Sequence, residues 1–242
     1  MNGKFKRPSF KKRPKNKDEQ LTENVRKNDI EELELNSEEN EKEFKLFFNE
    51  VLSKLPKKTS SIINSTYDKT KGQAEKILAD SKEKYEAIFD EFLVGVDEEV
   101  RKKAYATIHA ATLTAAIIGC SPISFSDAIL LVPVQLTMMA RLHKLFGQSW
   151  SKNMASALSK ELIVVGLGRS AVGNLMKLVP GVGTVAGAAV NGAVASTITG
   201  TLGWITVKML NDGEDIFDDL TSFRGQFDIL FKTLRESNKS KK

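Results

Sequence analysis

Apolar positions gather in the middle of this chain and charged ones at its ends. Phe44, Phe47, Phe48, Val51, Leu52 and Leu55 recur three and four apart, which puts them on one face of an amphipathic helix that Pro56 stops. Thr59 or Ser60 is expected to cap a longer helix reaching about Val94. Its loose heptad seam holds Ile63, Tyr67, Ala74, Leu78, Tyr85, Ile88 and Phe92, with Thr70 and Ser81 in the gaps. The 44–55 helix is expected to pack on that longer one; a membrane-facing role for Phe47 and Phe48 is the alternative. Asp97 is placed to cap a third helix, with Glu98 and Glu99 near the positive end of its dipole.

Beyond Lys103 the charge disappears. The run AYATIHAATLTAAIIGCSPISF leads into FSDAILLVPVQLTMMARLHKLFG, which predicts a helical hairpin with its tip at Cys120–Asp127. Pro122 marks the turn, and Ser124, Ser126 or Asp127 can cap the second arm. Thirteen residues separate Asp127 from Arg141, whereas roughly twenty are needed to span a bilayer as a helix, so shallow insertion or burial in a bundle is easier than crossing. Pro133 predicts a kink one turn into that arm. Gly147 ends the hairpin. Ser149 or Ser151 then caps a helix running towards Leu178, which Gly166, Gly168 and Gly173 interrupt and which carries Arg169 in its middle.

The longest charge-free stretch, Leu178 to Val207, is bracketed by Lys177 and Lys208. Pro180 and Gly181 predict the turn into it. Gly183 and Gly187, then Gly192, Ser196 and Gly200, recur four apart, and small residues at that spacing let another helix approach backbone to backbone. A central helix touching others on most sides is the expectation. Leucine at Gly187, Gly192 and Gly200 should disrupt it. Asp212-Gly213 ends this helix. Ile216, Leu220, Phe223, Phe227, Leu230 and Leu234 then form a heptad seam expected to dock on the bundle. The fold class is therefore all-α, a bundle of apolar helical hairpins around a Gly/Ala-rich helix. Its expected parts are a disordered tail at 1–43, a helical arm at 44–96, an apolar helical domain at 97–212, and a last helix with a basic tail at 213–242.

Charge changes the picture at the N-terminus. Lys4, Lys6, Arg7, Lys11, Lys12 and Arg13, with Lys15 and Lys17, meet no acid before Asp18. Each is worth about 1 kcal/mol beside an anionic membrane surface. Anionic lipid is expected ahead of nucleic acid as the partner of this arm; a solvated tail is the plain alternative. The acidic stretch Asp18–Glu43 that follows has too little apolar surface to order itself. No apolar run follows the basic N-terminus, so no secretory signal peptide is expected.

Little in the chain points to catalysis. The single cysteine, Cys120, excludes an internal disulfide and a Cys-rich metal site. It has no neighbouring base and reads as a small buried residue. There is no G-x-x-x-x-G-K-[ST] string, and the relaxed G-x-G-x-x-A at 181–186 follows a helix where a nucleotide fold needs a strand. His109 reads as a satisfied buried histidine and His143 as part of a basic amphipathic helix. Neither has companions at metal-ligand spacing. No cofactor and no enzymatic activity are expected.

The SPISFSDA tip, the LLVPVQ run and the PGVG turn before an Ala/Gly helix occur in that order between Val100 and Leu210. In these the chain resembles the YcjF-like bacterial domain of unknown function. The resemblance implies an all-α, membrane-associated module of uncharacterised chemistry, often C-terminal to a small GTPase domain. No GTPase domain accompanies it here, so a GTPase partner would act in trans. The expected function is a non-catalytic adaptor or effector on the cytoplasmic face of the cell membrane, peripheral or hairpin-inserted. Arg101, Lys102, Lys103, Arg141, Lys144, Lys177 and Lys208 would then stay on the cytoplasmic side. Self-association is a further pairing. The alternative is a soluble helical-bundle interaction module with no membrane insertion; an unrecognised enzyme or nucleic-acid binder stands behind both.

Overall fold

The computed structural model describes residues 38–123, 128–167, 187–214, 223, 225–227 and 229–230, with side chains described except at 80–91, 128–129, 160–167 and 187. Every regular element among them is helical. The chain divides into two compact units, 1–41 and 42–242. Of the first, only the opening turn of helix α1 (38–54) is described; all else below concerns the second.

α1 is already helical at 38, the first described residue and ahead of the expected start at Phe44, so the end of the acidic stretch is helical. Glu43 has a reason to be ordered, because it pairs with Arg141. Phe44, Phe47, Phe48, Val51, Leu52 and Leu55 are all buried, as their spacing requires. The chain leaves α1 at Pro56, and the Ser60 hydroxyl donates at 2.8 Å to the Leu52 carbonyl, a last-turn acceptor that also takes the Leu55 N–H at 3.2 Å.

The single helix expected between Thr59 and Val94 is two. α2 (Lys57–Ser65) and α3 (Tyr67–Phe92) break at Thr66. The break has a local cause. Ser65 and Thr66 both turn their hydroxyls onto the Ile62 carbonyl, at 2.8 and 3.0 Å, and compete with the backbone for it. α2 follows directly on Pro56, so Thr59 and Ser60 lie inside it rather than capping it.

Asp97 caps α4 (Glu98–Cys120) by accepting from the Glu99 and Val100 N–H groups at 3.0 and 3.3 Å. A 3-10 turn (Ala128–Leu131) leads into α5 (Val132–Leu145). Pro133 therefore falls in the first turn of α5, where a missing N–H costs nothing, and no kink is needed. Gly147, at φ 72°, closes α5: its N–H donates to Lys144 and that of Gln148 to His143, at 3.1 and 2.8 Å. The Ser151 hydroxyl accepts from the Met154 N–H at 3.2 Å at the start of α6 (Lys152–Leu167). α7 (Gly187–Asn211) ends as α5 does, at Gly213 with φ 76°.

The core is an antiparallel pair, α4 and α7, with α3 and α5 each packed against both. α6 packs on α5 and on the 3-10 turn. Phe223, Phe227 and Leu230 of the last heptad seam are buried in the same core, so that segment docks on the bundle. Ile216, Leu220 and Leu234 lie outside the described residues.

Both central helices carry hydroxyls into the interior, and most are tied to their own helix. Thr114, Thr197, Thr201 and Thr206 each donate to the carbonyl four residues back at 2.8 Å. The Thr199 hydroxyl is buried with no hydrogen-bond partner. An orphaned buried hydroxyl costs about 1–3 kcal/mol. Thr199→Val keeps the shape and removes that cost, so we expect the melting temperature to rise by several degrees in a circular-dichroism scan, with the fold unchanged.

Candidate functional site

Two features of the bundle carry specific chemistry: the seam between α4 and α7, and a charged clasp between α1 and α5. In the seam, Gly119 faces Asn191 and Gly192. A Cβ on Gly119 would lie 2.7 Å from the Asn191 carbonyl oxygen and 2.8 Å from the Gly192 Cα. One on Gly192 would overlap the Cys120 sulfur and come within 3.0 Å of the Ala116 carbonyl oxygen. The two backbones touch because neither residue has a side chain. Further along, Gly203 sits under Met138 and Ile108, with its Cβ position 2.9 and 3.0 Å from them. Gly200 is looser, its nearest neighbour being the Thr112 hydroxyl at 3.6 Å.

Gly192, Ser196 and Gly200 thus lie along α7, and the Ser196 hydroxyl is spent on its own helix, donating to Ala193 at 2.9 Å. Gly187 is the first residue of α7. Pro122 is exposed in the bend after α4. Gly183, Asp127, Pro180 and Gly181 lie outside the described residues, as do Arg169 and the basic arm Lys4, Lys6, Arg7, Lys11, Lys12 and Arg13. The residue that sequence reasoning passed over is Gly119. It stands four after Ala115 in a charge-free run, the same spacing that drew attention to α7.

The clasp was also missed. The Arg141 guanidinium pairs with Glu43 and with Glu50, the latter at 2.7 Å, and lies 5.0 Å from the centroid of the Phe47 ring. Beside it the Lys54 ammonium donates to Glu50 at 2.7 Å and to the Thr137 hydroxyl at 2.8 Å. Burial raises the Glu50 carboxyl, but hydrogen bonds and charge from Lys54 and Arg141 outweigh it and leave Glu50 below the usual carboxylate value. Glu50 is therefore ionised at neutral pH. Across from α5, Phe48 rests 5.1 Å from the Tyr67 ring and Lys71 lies over Phe44, so α1 is held between α3 and α5. The sequence signal was available: Glu43 and Glu50 are seven apart, on one face of α1, and Arg141 is the first charge after the apolar run.

Of the two histidines, the one expected to be buried, His109, is the less buried. His143 is the buried one, at 2% exposure, with Nδ1 donating to the Met139 carbonyl at 2.8 Å and its ring edge-on to Trp150. His109 is half-buried and stacks on Tyr105. The reason is position: His143 sits on the inner face of α5, whereas His109 stands at the margin of α4. Among the described residues no group of His, Cys, Asp or Glu could hold a metal ion. Burial pushes the Cys120 thiol up to about 11, so it stays protonated and unreactive. Iodoacetamide should modify the native chain far more slowly than the urea-unfolded one; equal rates would show the seam open.

Nor is any described helix long and apolar enough to cross a membrane. This is an all-helical module whose described residues are organised for close packing and polar docking. The chain belongs to the family described as a domain of unknown function, DUF697, which its residues 86–226 match. Over 110 residues it is 29% identical to Magnetosome membrane protein 22 of Magnetospirillum gryphiswaldense, covering 44% of this chain. The chain spans about half the length of that relative, 56% of it. No solved structure matches the chain.

Proposed function

We propose that this protein is a non-catalytic helical module that attaches peripherally to the cytoplasmic face of a membrane and serves there as an adaptor or effector of a bacterial GTPase acting in trans. The observation that carries the membrane part is the 110-residue similarity to a protein named for its membrane. The basic arm at 1–17 supplies electrostatic attraction to anionic lipid. Peripheral attachment fits α3 better than insertion does. Ile77 of α3 reaches the Gly192 position of the seam at 3.2 Å, and its neighbours Glu75 and Lys76 are exposed. Sinking the seam into hydrocarbon would take these charges with it. The GTPase part rests on the resemblance to the YcjF-like domain.

A second reading, an interaction module with no membrane attachment, is favoured by the exterior. Among the described residues the large apolar side chains left exposed are Leu46, Val94 and Ile229. Fractionation of the full-length protein from its own cells separates the two. Recovery with the membranes, released by high salt or alkaline carbonate, is expected; a wholly soluble protein would leave the second reading standing. Extraction by detergent alone would mean insertion. Copurification of a GTPase in the GTP-bound but not the GDP-bound form is the expected sign of the adaptor role.

A further inference from the structure

α1 lies outside the part of the chain that matches the family, whereas the α5 residues that hold it, Thr137 and Arg141, lie inside it. One wall of its seat is therefore family domain and the other is the start of α3. Helix-in-groove recognition has a known anatomy: an apolar stripe enters the groove and flanking charges fix register. α1 has both parts. Phe44, Phe47, Phe48, Val51 and Leu52 supply the stripe, and Glu43 and Glu50, two turns apart, straddle the Arg141 guanidinium.

We propose that the groove between α3 and α5 is a receptor site for an amphipathic helix bearing two carboxylates seven residues apart, and that α1 is the chain's own occupant of it, displaced when such a helix arrives from a partner. This rests on the adaptor half of the reading above, since it names the surface an adaptor would offer. Three observations fix the chemistry of the partner. Arg141 donates to two carboxylates at once, which a neutral helix would leave unmatched in a partly buried place. The Phe47 ring under the guanidinium asks for an aromatic residue between those acids. The Thr137 hydroxyl, taking the Lys54 ammonium, asks for a lysine one turn after the second acid. The hinge for displacement is Leu55–Pro56, where the helix is already broken.

The test uses the full chain and a fluorescent peptide of residues 42–58 as the arriving helix. An attached α1 competes at an effective concentration in the millimolar range, so the wild-type chain should bind the peptide weakly. In the chain carrying E43Q/E50Q, which keeps side-chain shape, α1 competes less, and peptide affinity should rise on the order of tenfold. Adding R141Q should abolish the gain, and a peptide carrying both Gln substitutions should bind no better than to wild type. Amide exchange over 44–55, followed in the same samples without peptide, reports whether α1 has been loosened. Exchange unchanged by E43Q/E50Q would overturn the clasp. Loosened α1 with no gain in peptide affinity would overturn the receptor site. So would equal binding of the neutralised peptide. Neither lipid nor GTPase is present in this assay, so its failure leaves the fractionation result untouched.

Discussion

Gly119→Ala is expected to destabilise the bundle by about 3 kcal/mol, at the upper end of what overpacking usually costs. The reason is what the new methyl would meet. All three of its nearest atoms, the Asn191 carbonyl oxygen and carbon and the Gly192 Cα, belong to the α7 backbone, at 2.7 to 2.9 Å. A side chain can rotate away from such a contact, but a helix backbone cannot, so α4 and α7 must move apart. Separation there loosens Cys120 against Gly192 as well. Gly200→Ala is the control. Its methyl finds Thr112 at 3.6 Å, an ordinary contact, and alanine favours the helix by about 1 kcal/mol. Thermal unfolding should therefore drop by roughly 10 °C for Gly119→Ala and stay level or rise for Gly200→Ala. Equal tolerance of the two would mean that the seam is not a backbone contact.

That contrast shows how far the sequence could be read. The spacing of small residues along α7 was legible, and so was the need for a partner helix. The partner was not, because small-residue periodicity names one side of a contact and α4 shows the same composition with only one glycine in it. Nor did periodicity separate Gly192, which is pinned, from Gly200, which is not; crossing helices touch at a point, while a stripe runs on past it. Several caps and stops were legible where one residue acts on its neighbours, as at Asp97, Ser151, Gly147 and Gly213, though not at Thr59 or Ser60. The break at Thr66 was missed, because it depends on two adjacent hydroxyls competing for one carbonyl rather than on a Gly or Pro. Arg141 was read as a flank of an apolar run, and its role becomes visible only when α1 is placed against α5, 91 residues away from Glu50 in sequence. His109 is less buried than expected, and His143 more buried than His109, for the same reason. An apolar neighbourhood in sequence does not decide which face of a helix turns inward.

Phe47→Ala is the second large effect, and it asks whether α1 belongs to the core or rides on it. Phe47 is fully buried, and truncating a buried phenylalanine costs about 3–5 kcal/mol. Here the loss includes the platform on which the Arg141 guanidinium rests. If α1 were an inseparable part of the core, the whole bundle would unfold earlier in one transition. The packing argues for a divided response. The seam is built from α4 and α7 with α3 and α5 against both, and the groups that clasp α1, Thr137 and Arg141, stand on α5, one layer out from the α4–α7 pair. We therefore expect amide protection over 44–55 to fall by two to three orders of magnitude in Phe47→Ala, the equivalent of about 3–4 kcal/mol, while protection in α4 and α7 keeps its wild-type value. Hydrogen exchange read by mass spectrometry resolves these segments. A uniform loss across all three helices would make α1 a core element and would remove the basis for a displaceable helix; a local loss leaves the seam intact and the groove open to an incoming one.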